Sequence, residues 1–154
     1  MFAQGLARTA QAYGDCTATI DGDKVQNWRD FGDKISRIAG GLRSIGCQPG
    51  DRVAILAATT PEHLATMYAV VWAGCVLVPL NTRLSPDELN HIVSQSESNV
   101  LASDIRNLAG AESVMEATAN SLKSIAMDDG ALGEESLDEL AKSDGIDAWA
   151  ADMS

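Results

Sequence analysis

The chain has 154 residues, 45% of them apolar and 21% charged, with a net charge of −11. That is enough chain to bury one ordinary core, and the balance excludes a disordered or fibrous protein. The strong negative charge argues against nucleic acid or an anionic membrane surface as a partner.

Residues 4–13 read as a short first helix. Thr17 to Ile20 and Lys24 to Asn27 flank Asp21-Gly22-Asp23, a hairpin signal because glycine tolerates the positive φ of a tight turn. Phe31, Ile35, Ile38, Leu42 and Ile45 then recur at steps of three or four and line up one apolar stripe of a helix. Gly46 stands where its C-cap is expected, and Pro49-Gly50 closes the loop. Arg52 to Leu56 reads as a short buried strand. Thr60-Pro61-Glu62 is a cap, a proline at the first helical position and an acid in the first turn, so a helix starts there and runs to about Ala73, stopping at Gly74. Cys75 to Pro79 is a second strand, ended by a proline that has no amide to donate. Ser85-Pro86-Asp87-Glu88 repeats the start signal with capping-box spacing, and Leu89, Ile92 and Val93 give the next helix its apolar face. Val100 to Ala102 reads as a third strand, residues 108–120 as a helix, and Ser124 to Met127 as a fourth strand.

Strands alternating with helices at this spacing predict an α/β fold: a parallel sheet with right-handed crossovers and helices on both faces, preceded by a short N-terminal hairpin. Ligands of such sheets sit beyond the carboxyl ends of the strands, which singles out Ala57 to Pro61 and Leu80 to Ser85. The first of these loops lacks the glycines of a phosphate cradle, where backbone amides must approach oxygens closely. The helix start at Thr60 reads as simply capped. Gly40-Gly41, inside an amphipathic helix, reads as a close-packing pair.

Cys16, Cys47 and Cys75 are widely spaced and form no CxxC pair, so neither a disulfide framework nor a zinc site is expected. Each reads as a small buried apolar residue in a reducing, cytoplasmic compartment. His63 and His91 are isolated and read as surface or helix-end residues. The most apolar stretch, Leu64 to Leu80, is broken by Gly74 and Pro79 and falls short of the roughly 20 residues of a membrane span. The opening residues do not read as a secretory signal. Spacing alone yields no Ser/His/Asp arrangement, inward carboxylate pair or metal cluster.

From Val25 to Asp104 the sequence resembles the N-terminal part of the AMP-forming acyl-CoA synthetase (adenylate-forming ligase) superfamily. Asn27-Trp28-Arg29-Asp30-Phe31 is similar to its "T-Y-x-E-L", and Ile35 to Leu42 to its "N-R-L-A-x-x-L". Gly46-Cys47-Gln48-Pro49-Gly50-Asp51-Arg52-Val53-Ala54-Ile55-Leu56 follows "G-V-x-x-G-D-R-V-A-I-L" closely. Residues 71–89, VWAGCVLVPLNTRLSPDEL, follow "A-G-A-V-x-V-P-L-N-x-R-L-x-x-x-E-L". The chain departs from the pattern at Thr59-Thr60, where the family commonly has Asn. It also contains no counterpart of the family's phosphate loop, "T-S-G-T-T-G-x-P-K", or of its later catalytic motifs.

The resemblance implies a ligase that converts a carboxylic acid and ATP to acyl-AMP and then to acyl-CoA. It implies ATP, Mg²⁺ and CoA as cofactors of the full-length protein and none held by this chain, with a fatty acid as the substrate type. No catalytic or metal-binding residue can be carried over. Arg83, just past a strand end, is the one candidate binding residue, for CoA or for contact with another domain. Residues 1–127 are expected to form a partial ligase subdomain and residues 128–154 an acidic linker or tail leading toward a phosphate loop. The expected partners are the remaining ligase subdomains. A second reading is a non-catalytic module that docks on a complementing chain carrying the missing motifs. A stand-alone flavodoxin-like binder is a weaker third.

Nine acids against one base, Lys142, place −8 of the net charge in residues 128–154. Few large apolar residues there can offset about 1–2 kcal/mol of backbone entropy per residue. One turn anchored by Leu137 and Leu140, behind the capping-box spacing of Ser136-Leu137-Asp138-Glu139, is the expected exception. Residues from Asp144 onward are expected to be mobile, with little for Trp149 to pack against.

Overall fold

The computed structural model describes residues 2–149. Helix α1 (Phe2–Ala12) leads into a hairpin of β1 (Thr17–Asp21) and β2 (Lys24–Asn27), which turns at Gly22, φ +57°. Asn27 caps α2 (Trp28–Ser44), its Oδ1 accepting from the Asp30 amide at 2.8 Å. Aromatic edges tie the first helices together. Phe31 lies 6.0 Å from both Trp28 and Tyr68, and Phe2 lies 5.8 Å from Tyr68, which belongs to α3 (Pro61–Trp72).

The main sheet has five parallel strands in the order β4-β3-β5-β6-β7. These are β3 (Arg52–Leu56), β4 (Val76–Pro79), β5 (Val100–Ser103), β6 (Lys123–Ala126) and β7 (Glu135–Ser136). Val53 faces Leu77 on one side and Val100 on the other, so β3 is interior. Its side chains alternate. Val53 and Ile55 join Phe31, Ile35, Ile38 and Leu42 of α2 and Ala65, Ala69 and Val70 of α3 in one core layer. Ala54 and Leu56 join a second layer with Leu89 and Val93 of α4 (Pro86–Gln95) and Ala111 and Val114 of α5 (Leu108–Ala117). Both faces of the sheet are therefore covered, as the continuous apolar strands require.

The helix ends follow their local chemistry. Thr60 Oγ1 accepts from the His63 amide at 3.1 Å, and Ser85 with Glu88 forms the expected capping box. Gly46 and Gly74 take φ of +94° and +78° just past α2 and α3, and the next residue's amide returns to the last turn: Cys47 to the Leu42 carbonyl and Cys75 to the Val70 carbonyl, both at 3.0 Å. The same closure ends α4 and α5 without a glycine. Glu97 and Ala119 take φ of +50° and +51°, and so α5 stops at Ala117, short of the expected residue 120.

Three expectations are corrected. Cys16 is exposed, whereas Cys47 and Cys75 are buried as expected. Ser136 makes no capping hydrogen bond to α6 (Leu137–Leu140), because it is held in the short strand β7. Trp149 does have a seat. Leu137 and Leu140 are buried in the first core layer, and the backbone then crosses α2 and the end of α3. Gly40-Gly41 makes this crossing possible, since a Cβ at Gly41 would lie 2.6 Å from Leu140 Cβ and one at Gly40 would strike the Asp144 carbonyl. Trp149 packs over Gly74 and remains 38% exposed.

Candidate functional site: a crevice at the carboxyl end of the sheet

From β3 the chain crosses through α3 to β4 on one side, while β5 pairs on the other, so the order of connection reverses between β3 and β5. The loops that leave these two strands diverge there and open a crevice. Asp104, 6% exposed and immediately past β5, organises it. One carboxylate oxygen accepts from the Ala58 amide at 2.8 Å and so ties down the loop after β3. The other accepts from the Asn107 amide at 3.2 Å and its side-chain amide at 2.6 Å, capping the 3-10 turn Ile105–Asn107. Asp128, past β6, accepts from the Ile105 amide at 2.7 Å and secures the far side.

Two depressions share Arg106. The first, about 190 Å³, is lined by Ala57, Thr60, Glu62, Asp104, Arg106, Met127 and Asp128. Burial raises the pKa of Glu62, but hydrogen bonding in the helix's first turn and the Lys34 ammonium, 3.2 Å away, outweigh it, and the carboxyl ends below its ordinary value. The second, about 230 Å³, lies between the loop after β4 and the start of α5, with Leu56, Leu84, Leu89 and Gly110 as its apolar wall. Arg83 stands between two of its lining residues, Thr82 and Leu84. Its amide donates to Asn81 Oδ1 at 3.0 Å, which shapes the turn, and its side chain is exposed.

Of the two loops read from the sequence, the first, with the helix start behind it, has two amides already taken. Thr60 caps α3, and the Asp104 carboxylate already takes the Ala58 amide that a phosphate would seek. The second loop keeps Arg83 available and gains Arg106 from a loop that the sequence did not single out. The spacing Asp104-x-x-Asn107, a capping pattern, is the only local sign of that third loop. His63 sits in the first turn of α3, where Nδ1 is 3.1 Å from the Ala58 carbonyl, and His91 is exposed on α4. Among the described residues no group of three or more His, Cys, Asp or Glu side chains is placed to hold a metal ion. No helix among them is long and apolar enough to cross a membrane.

Comparison with known proteins agrees with this architecture. The family model described as AMP-binding enzyme matches residues 6–152. A feruloyl-CoA synthase of Amycolatopsis sp is 39% identical over 102 residues, which are 64% of this chain and 21% of that protein. A 4-hydroxybutyrate–CoA ligase of Metallosphaera sedula is 32% identical over 99 residues, covering 64% and 18%. A long-chain-fatty-acid–CoA ligase of Thermus thermophilus is 42% identical over 71 residues, covering 46% and 13%. Among solved structures, a benzoate CoA ligase from Burkholderia xenovorans superposes with a TM-score of 0.85 at 21% identity, over 97% of this chain and 30% of that one. A luciferase-like enzyme from Zophobas morio gives 0.89 at 19%, over 99% and 37%. At these identities the structures speak for the fold alone. The chain spans about a fifth of the length of the curated relatives it matches. With a family match across nearly its whole length and a doubly covered parallel sheet, the chain belongs to the AMP-binding enzyme family.

Proposed function

We propose that the chain supplies the first α/β unit of an ATP-dependent acyl-CoA ligase acting on a fatty acid. In that reaction a carboxylate oxygen attacks the α-phosphorus of ATP and pyrophosphate leaves. The CoA sulfur then attacks the acyl-AMP carbonyl and AMP leaves. ATP and its Mg²⁺ belong to parts of the ligase outside these residues, and residues 128–154 form the segment leading toward them. The fatty-acid class is supported by the similarity to the Thermus thermophilus ligase. A reducing, cytoplasmic setting accords with three free thiols.

The observation that carries the reading is the second depression. It combines an apolar wall with Arg106, and Arg83 stands in sequence between its lining residues Thr82 and Leu84, in a chain of net charge −11. A ligand that joins an apolar ring to phosphates suits it, because a guanidinium holds phosphate oxygens by two parallel donors. CoA is such a ligand. These residues would bind and orient it, and none of them would handle the reacting thiol. The similarity runs to complete ligases, and no observation favours a separate docking module.

The test is a chimera in which residues 1–149 replace the matching segment of the feruloyl-CoA synthase. It is expected to show acid-dependent ATP–pyrophosphate exchange and CoA-ester formation. Arg83→Ala in the chimera is expected to raise KM for CoA while leaving the exchange, which needs no CoA, unchanged. A folded chimera without exchange would overturn the ligase reading. An unchanged KM would remove Arg83 from the CoA site.

A further inference from the structure

Outside the crevice, residues 144–149 make four directed contacts with α2 and α3. The Ile146 carbonyl accepts from two donors at once, Ser36 Oγ at 2.9 Å and the indole Nε1 of Trp72 at 2.8 Å. The Ile146 amide donates to the Ser36 carbonyl at 3.4 Å, and the Trp149 amide to the Trp72 carbonyl at 2.9 Å. One residue of α2 and one of α3 therefore each give and receive a hydrogen bond with the same strap. The floor beneath it is glycine. Gly40 lies under the Asp144 carbonyl, and a Cβ at Gly74 would come within 2.7 Å of the Trp149 ring.

Yet the strap itself is lightly held. It belongs to no helix or strand, contains Asp144 and Asp147, and has only Ile146 and Ala148 packed against the core layer beside a partly exposed Trp149. A segment fixed by a few point contacts opens at much lower cost than the strands beneath it.

We propose that Ser36 and Trp72 are the two jaws of a clasp on Ile146, and that residues 144–149 form a latch that opens and closes while the sheet stays folded. When closed, the latch fixes the backbone direction at Trp149, beside Gly74 and the amino end of β4, opposite the crevice. When open, it uncovers the glycine-floored face of α2. The device goes beyond the ligase reading and stands or falls without it.

Amide exchange followed by NMR on the whole 154-residue chain tests it. The Trp149 amide and the Trp72 indole N–H are expected to exchange more slowly than in an unstructured peptide, yet faster than interior amides of β3 and β5. Ser36→Ala removes one jaw at a half-buried position and should speed Trp149 exchange about fivefold, the worth of one ordinary hydrogen bond. Trp72→Phe, which keeps a ring in place, should do the same. Neither substitution should move the strand amides. Free-peptide exchange at Trp149 in the unaltered chain would overturn the clasp. Exchange as slow as the strands would overturn local opening. Substitutions that speed strands and strap equally would show a structural role only.

Discussion

Replacing Asp104 by alanine probes the link between the topological switch and the loops around it. The carboxylate serves three donors: the Ala58 amide at 2.8 Å, and the Asn107 amide and side chain at 3.2 and 2.6 Å. Losing a cap costs about 1 kcal/mol. Losing a hydrogen bond to a charged acceptor costs about 1.5–3 kcal/mol. Ala58 is only half-buried, so water recovers part of its amide and the lower figure applies. Asp104→Ala should therefore destabilise the chain by about 2.5 kcal/mol, or about 5–10 °C in Tm for a domain of this size. Asp104→Asn keeps one acceptor oxygen, enough for the 3-10 turn or for Ala58 but not both, and should cost about half as much. Urea unfolding of both variants, followed by circular dichroism, measures this. An alanine variant within about 0.5 kcal/mol of the parent would refute the account, since surface changes stay inside that range.

Thiol titration should divide the cysteines. Cys16 is exposed, whereas burial raises the Cys47 thiol and carries Cys75 up to about 11, so a maleimide near neutral pH should modify one thiol per folded chain and three after denaturation. Two fast thiols in the folded chain would contradict the packing at the amino ends of β3 and β4. Glu88 is held below its ordinary pKa by hydrogen bonds from the Ser85 backbone and then its side chain. A depressed carboxyl adds stability above its unfolded pKa and loses it as pH falls through the folded one, so Glu88→Gln should flatten the fall in urea midpoint on the acid side of the ordinary glutamate range. Parallel acid limbs for the two proteins would dismiss the capping box as a titrating contribution. Exchanges between glycine and alanine should run opposite ways: Ala119→Gly relieves a positive φ and should stabilise by up to about 1 kcal/mol, while Gly40→Ala should lower Tm despite a helix-propensity gain of about 1 kcal/mol, because its Cβ meets the Asp144 carbonyl. Thermal melts that gave both substitutions the same sign would sink one of the two explanations.

Legibility in the sequence followed the range of the forces involved. The boundaries of β3, α3, β4 and α4 were readable to within a residue or two because each end carries its own chemistry: Thr60-Pro61, Gly74, Pro79, and Ser85 with Glu88. The end of α5 was not, because a left-handed cap built on Ala119 carries no glycine to announce it. Strand β7 is two residues long and has no period to detect. Beside the candidate site, Arg83 was visible as a cation between a strand end and a helix start. Asp104 was not, because its partner Ala58 lies next to it only once β5 has paired with β3, and no local pattern states that pairing.

The acidic end shows why counting apolar residues can misjudge a segment. Entropy is lost residue by residue, but what offsets it here is supplied by other parts of the chain: the glycine pair on α2, the Ser36 hydroxyl and the Trp72 indole. Gly40-Gly41 was legible as a close-packing site, and Ile146 and Trp149 as the apolar residues of an otherwise polar stretch. Only the fold joins the two observations. Charge does not forbid the union, because Asp144 lies near enough to Arg37 to favour its cationic form, after the larger contribution of the Asp33 hydrogen bond. The strap thus settles across α2 and α3, which offer it two donors and a glycine floor. Such a seat is specific without being strong, which is the condition for a segment that docks and can still let go.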